Sequence, residues 1–162
     1  MTGFVGPELL TGDHVLDGFD CGDETLNWWL THKARRNQRE GASRTWVVTD
    51  GHRVIGFYAS STAVILRAEA TKRAARNQPD PLPALLLGRL AVDVKHHDGG
   101  LGAALLKHFF LKALEVAELT GVRVLLVHAI NDTAAAFYRR HGFEPSPIDH
   151  LTLILPLKDL HT

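Results

Sequence analysis

Leu90-Ala91-Val92-Asp93-Val94, then a short polar link ending in His97-Asp98, then Gly99-Gly100-Leu101-Gly102-Ala103-Ala104: residues 90–104 decide the fold. The first part closes a largely apolar run from Leu85, the pattern of a strand covered on both faces. The last part opens a helix, because Leu101, Leu105, Phe109, Ala113, Val116 and Ala117 recur at helical spacing up to Leu119, with Lys112, Glu115 and Glu118 on another side. Gly121 is expected to stop that helix. Glycines at a strand-to-helix junction let the backbone approach an anion closely. The free N–H groups of the helix's first turn, at the positive end of its dipole, then supply the donors. The backbone of Gly100, Leu101, Gly102 and Ala103 is the expected phosphate cradle.

Two other nucleotide motifs fail at this junction. A P-loop needs Lys and then Ser or Thr after its last glycine, where this chain has Ala103 and Ala104. A dinucleotide fingerprint counted from Gly100 needs Gly or Ala where Leu105 stands.

Upstream, residues 23–37 place Leu26, Trp29, Leu30, Ala34 and Asn37 at spacings of three and four, an amphipathic helix with Asp23 as N-cap. Residues 44–49 and 53–62 are rich in Val, Ile, Thr, Tyr and Trp and flank Asp50-Gly51, which predicts a hairpin. The prolines of Asn77-Gln78-Pro79-Asp80-Pro81 make the end of residues 66–82 a loop. Downstream, residues 122–129 read as a second buried strand. Asn131 or Asp132 caps a helix running to Arg140, Gly142 stops it, and residues 151–157 form a last strand. The order is a mixed central sheet flanked by helices, α/β or α+β in character, and it shows no repeat or linker.

At 162 residues, with 45% hydrophobic and 22% charged positions, the chain has the size and composition of one globular domain. Its apolar runs fall far short of a membrane span, no leader pattern precedes them, and Cys21 is the lone cysteine, so a soluble cytoplasmic protein is expected. The ten histidines form no metal-binding spacing, and no metal is implied. Net charge is zero but segregated: acids dominate from Glu8 to Glu24, whereas Lys33, Arg35, Arg36, Arg39 and Arg44 follow with only Glu40 opposing them. A second basic stretch runs from Arg67 to Arg76.

The run His97-Asp98-Gly99-Gly100-Leu101-Gly102 resembles the hallmark of the GCN5-related (GNAT) N-acetyltransferases, in which Gln or Arg is followed by two residues, Gly, one residue, and Gly or Ala. His97 replaces the usual Gln or Arg, which leaves the backbone donors intact. Asn131 with Ala136-Phe137-Tyr138 and Gly142-Phe143 is similar to the family's second half-site, where an Asn and a helix Tyr approach the pantetheine and thiol. The resemblance implies a GNAT fold over the whole chain, residues 1–162, and acetyl-CoA as cosubstrate. It places acetyl-CoA against Leu90, Ala91, Val92, His97, Asp98, Gly99, Gly100, Leu101, Gly102, Ala103, Asn131 and Phe137, with Tyr138 as the general acid. A phenol with pKa about 10 can hydrogen-bond or protonate a leaving thiolate of about 8.5 with little thermodynamic penalty.

The strings Phe19-Asp20-Cys21-Gly22, Gly41-Ala42-Ser43-Arg44-Thr45, Gly88-Arg89-Leu90-Ala91-Val92-Asp93 and Phe143-Glu144-Pro145-Ser146-Pro147 narrow the likeness to the GNAT toxins of bacterial toxin–antitoxin pairs. That narrower resemblance implies acetylation of the α-amino group of aminoacyl-tRNA, inhibition of translation, a ribbon-helix-helix antitoxin as partner, and a homodimer. The α-amine, no more basic than a peptide α-amine of pKa about 7.7–8.0, needs no strong base near pH 7, although Asp93, Asp98 and His128 are candidates. Lys33, Arg36, Arg39, Arg44, Arg73 and Arg76 are the expected contacts to tRNA phosphates. The competing expectations are an acetyltransferase for a small amine or a protein N-terminus, and a non-catalytic binding module.

Overall fold

The computed structural model describes residues 4–160. Seven strands form one mixed sheet in the order β1-β2-β3-β4-β5-β7-β6. The elements in chain order are β1 Phe4–Leu9, α1 Glu24–His32, α2 Ala34–Arg39, β2 Arg44–Asp50, β3 Arg53–Ile65, α3 Lys72–Ala75, β4 Leu82–Val92, α4 Leu101–Leu119, β5 Val124–His128, α5 Asp132–Arg140, β6 Glu144–Ser146 and β7 Asp149–Pro156. The chain divides into two compact units, one formed by the chain up to Ser61 with Gly88–Phe109, the other by Thr62–Leu87 with the chain from Phe110 onward.

In the first unit, β2 and β3 pair antiparallel around the Asp50-Gly51 turn, as their sequence predicts, and β1 adds antiparallel to β2. The core holds Phe19, Trp29, Leu30, Ala34, Val47, Phe57 and Ala91. Asp23 caps α1 by accepting the Leu26 N–H at 3.0 Å. The single helix expected over residues 23–37 is two, because the chain leaves helical geometry at Lys33, with φ −122°, before α2 begins. Strand β3 is buried from Val54 to Ala59, and a Cβ built on Gly56 would meet Leu105 Cδ1 at 3.2 Å. That position is glycine because α4 packs directly on the strand there.

In the second unit, β4 pairs parallel with β5 from Ala84↔Val124 to Leu87↔Val127, and β5 pairs antiparallel with β7. Its core gathers Ile65, Ala74, Leu82, Ala84, Val124, Leu126 and Ile154. Helix α4 ends by a different device from the one its sequence suggested. The Thr120 hydroxyl donates to the Val116 carbonyl at 2.8 Å and accepts the Val122 N–H, so Thr120 rather than Gly121 closes the helix. Among the described residues, no helix is long and apolar enough to cross a membrane.

Candidate active site

The junction that opened the sequence argument lies wholly in the first unit. Its strand end is fixed by a reciprocal clamp. The buried carboxylate of Asp93 accepts the Asp20 N–H at 3.1 Å and the Lys95 N–H at 3.0 Å. In return the Val94 N–H donates to the Asp20 carbonyl at 2.8 Å, and the Asp93 N–H donates to Ile55 at 2.8 Å. Asp20 is itself oriented by the Gly22 N–H and the Asn27 side chain, which hold its carboxyl below the usual range. The Phe19-Asp20-Cys21-Gly22 string therefore positions the loop entrance, and Asp93, one of the three candidate bases, is committed to two backbone amides. Cys21 is half-buried; desolvation raises its thiol pKa, which disfavours a nucleophilic thiolate.

After Asp93 the chain makes a short 3-10 turn over Val94–Gly99 and enters α4 through Gly100 at φ 76°. Only glycine adopts that left-handed conformation without strain. The helix's first ladder bond runs from the Ala104 N–H to the Gly100 carbonyl, so the N–H groups of Leu101, Gly102 and Ala103 precede the ladder. A Cβ built on Gly99 or Gly100 would meet nothing within 4 Å, and both glycines are exposed. A diphosphate fits this open cradle at the N-terminus of a 19-residue helix. His97 behaves differently from a phosphate ligand: its Nε2–H donates to the Val92 carbonyl at 2.6 Å, folding the side chain back onto the strand. Asp98 is exposed, Leu90 and Val92 are half-buried, and Ala91 is buried in the core.

The other expected site residues belong to the second unit. Asn131 is the N-cap of α5, its Oδ1 accepting the Ala134 N–H at 2.9 Å, so its side-chain carbonyl is already engaged by the helix. Asn131→Ala is expected to lower stability by about 1 kcal/mol, read as a drop in the midpoint of chemical denaturation. Tyr138 is 6% exposed on the inner face of α5 with Ala135. Its ring meets Phe143 edge-on at 5.7 Å and Phe137 at 5.2 Å. Burial pushes the phenol pKa far above its ordinary value, which keeps Tyr138 a neutral proton donor. Phe137 is half-buried between Tyr138 and His141. His128, a second candidate base, is exposed with Nδ1 at 3.1 Å from the Thr152 hydroxyl.

The expected RNA contacts divide by unit and by availability. In the first, Trp28 is 50% exposed on α1, stacked at 5.0 Å on His32 with the Lys33 ammonium 5.6 Å from its ring centroid. Trp29 beside it is core. Arg36 pairs with Glu40 across one helical turn at 3.2 Å, Arg39 is exposed, and Arg44 donates to the Gln38 carbonyl at 3.0 Å. In the second unit, Arg73 is held by both oxygens of Asp159, at 2.6 and 2.7 Å, and this partner raises its pKa further. Arg76 lines a cavity of about 860 Å³ together with Arg67, Thr71, Lys72, Pro145 and Pro147. Among the described residues, no group of three or more His, Cys, Asp or Glu is arranged to hold a metal ion.

Arg89, quoted from the sequence within residues 88–93 but given no role there, lies over the Trp29 ring, its Cζ 4.3 Å from the centroid. Nothing in the spacing of the two residues signals that contact.

Residues 41–145 match the Acetyltransferase (GNAT) domain family. The chain is 40% identical over 159 residues to the tRNA-acetylating toxin of Mycobacterium tuberculosis, covering 98% of this chain and 96% of the toxin. Among solved structures, AtaT complexed with acetyl-methionyl-tRNAfMet superposes with a TM-score of 0.86 at 31% identity, covering 93% of this chain and 94% of that one. A tyrosine-to-phenylalanine variant of the AtaT toxin, bound to the C-terminus of the antitoxin AtaR and to acetyl-CoA, superposes with a TM-score of 0.79 at 30% identity, covering 93% and 92%.

Proposed function

The chain belongs to the GNAT family of acetyl-CoA-dependent acetyltransferases, and from that premise we propose that it acetylates the α-amino group of aminoacyl-tRNA and so inhibits translation as the toxin of a toxin–antitoxin pair. The observation that carries this reading is the similarity to a tRNA-acetylating toxin along nearly the full length of both proteins. The AtaT complex with acetyl-methionyl-tRNAfMet supports the same substrate class.

Acetyl-CoA, when bound, supplies the activated thioester that the amine attacks. In this chain, the N–H groups of Leu101, Gly102 and Ala103, with the open backbone of Gly99 and Gly100, hold its diphosphate. The segment from Leu90 to Val92, His97, Asp98, Asn131 and Phe137 complete the cofactor site in this reading. His97 contributes through the Val92 carbonyl it anchors. Tyr138 donates a hydrogen bond, and finally its proton, to the departing sulfur. Because burial weakens Tyr138 as an acid, its proton transfer comes late, after charge has built on the sulfur. Asp93 takes no part as a base, since its two oxygens already serve backbone amides.

Lys33, Arg36, Arg39, Arg44 and Arg76 contact tRNA phosphates, and Arg73 joins them when Asp159 releases it. In this reading residues 1–162 are one catalytic domain, acting as a homodimer in the cytoplasm, where charged tRNA is found. A ribbon-helix-helix antitoxin neutralises the protein; the AtaT toxin bound to the C-terminus of the antitoxin AtaR supports an antitoxin as partner.

The test is transfer of labelled acetyl from acetyl-CoA to a mixed pool of charged tRNAs, with uncharged tRNA as control. Label on charged tRNA alone is the expected result. Acetyl-CoA binding without tRNA labelling would move the acceptor to a small amine or a protein N-terminus.

A further inference from the structure

Arg89 stands on β4 one residue before the segment from Leu90 to Val92, with the exposed Gly88 on its other side. It is half-buried, and among the described residues its guanidinium has neither a hydrogen-bond nor an ion-pair partner. Desolvation draws its pKa below the ordinary guanidinium value, while leaving it charged at any physiological pH. A charge withdrawn from water without a counter-ion is costly, and proteins normally pair it.

What holds Arg89 is a pedestal. Its Cζ lies 4.3 Å from the Trp29 centroid, and Trp29 in turn stacks on Phe57, with ring centroids 6.1 Å apart and 12° between planes. Trp29 is 6% exposed and Phe57 fully buried, so the platform is part of the core. A cation–π contact engages none of the five guanidinium N–H donors. The result is a prepositioned fork of donors, short of an anion, beside the strand segment that leads to the phosphate cradle.

Resting on the substrate reading above, we propose that Arg89 is a receptor for a backbone phosphate in the single-stranded acceptor end of the RNA. Phosphate is the anion whose geometry a guanidinium fork matches in bidentate fashion. A strand advances only about 3.3 Å per residue, so Arg89 lies within about 10 Å along β4 of residues 90–92, the segment this reading assigns to acetyl-CoA. The residue is thus distinct from Arg36 and Arg39 of α2, which are exposed and present their charge to solvent.

The experiment measures binding of an uncharged single-stranded RNA oligonucleotide ending in CCA to the full chain and to Arg89→Gln and Arg89→Lys over a range of salt. Arg89→Gln is expected to weaken binding about tenfold and to reduce the slope of log affinity against log salt by about 0.7, the loss of one single-strand phosphate contact. Arg89→Lys restores the slope but not the full affinity, because an ammonium lacks the fork. Acetyl-CoA affinity of both variants stays within about twofold of the parent, which reports that the fold is intact. RNA binding by Arg89→Gln with unchanged affinity and slope overturns the proposal while leaving the substrate reading in place. A parallel loss of acetyl-CoA affinity overturns it too, by making the residue structural. Loss of affinity for an acidic peptide, with RNA binding untouched, assigns the fork to a protein partner instead. If the parent protein fails to bind the oligonucleotide at all, this assignment falls, while the substrate reading is decided separately by acetyl transfer to charged tRNA.

Discussion

Tyr138→Phe is expected to lower the turnover of acetyl transfer by about a hundredfold, the lower end of what a positioned general acid supplies. The substitution removes one hydroxyl and keeps the ring that packs on Phe137 and Phe143, so acetyl-CoA affinity and thermal stability should remain near those of the parent. Turnover at saturating concentrations of both substrates is the measurement. A loss smaller than about threefold would remove Tyr138 from the proton path.

The pH profile carries the same assignment. Tyr138 acts in its protonated form, and burial raises its pKa above the ordinary value, so the activity it supports persists at least to about pH 10 and is lost only above that. The amine must be neutral and is no more basic than a peptide α-amine, so activity climbs with pH and levels off above about 8. The expected profile therefore rises and then stays level to about pH 10. A decline setting in below that point would mean that the group supplying the proton is not a buried phenol. Tyr138→Phe should keep the rising limb, which belongs to the substrate.

Asp93→Ala is the second large effect, and it falls on stability. The substitution strips the acceptors from the Asp20 and Lys95 N–H groups, and each orphaned donor costs about 1–3 kcal/mol. A total of about 3 kcal/mol corresponds to a fall in melting temperature of roughly 6–12 °C for a domain of this size. Because the clamp sets the start of the turn that leads to Gly100, acetyl-CoA affinity should fall as well. Asp93→Asn retains one carbonyl acceptor and is expected to lose about half as much stability while keeping most of its turnover. A hundredfold loss of turnover in Asp93→Asn, with stability preserved, would instead make Asp93 a catalytic base.

Local patterns read well wherever a single chemical requirement dominates. The Asp50-Gly51 hairpin, the Asp23 cap and the glycine entry to α4 each rest on neighbours within a few residues, and each is present. The two strands that escaped, β1 and β6, are the two edges of the sheet. Each contains a proline, Pro7 or Pro145, which breaks the alternation that marks a strand. Proline is tolerated there because an edge strand leaves one row of N–H groups without a ladder partner. The break at Lys33 escaped for the opposite reason: the apolar spacing continues through it, so periodicity alone joins α1 to α2.

From its residues alone, the chain determined the order of its inner strands and helices, the glycine cradle at a helix N-terminus and the tyrosine on α5, because backbone conformation and amphipathic spacing are encoded within a few positions. Tertiary structure alone decided which charges remain available. It joined Asp93 to Asp20, Arg73 to Asp159 and Arg89 to Trp29, in each case across a long stretch of chain. Whether a titratable side chain is a ligand, a brace or an idle charge depends on what the fold brings within about 4 Å of it and on how much water it excludes, and no local pattern carries that information.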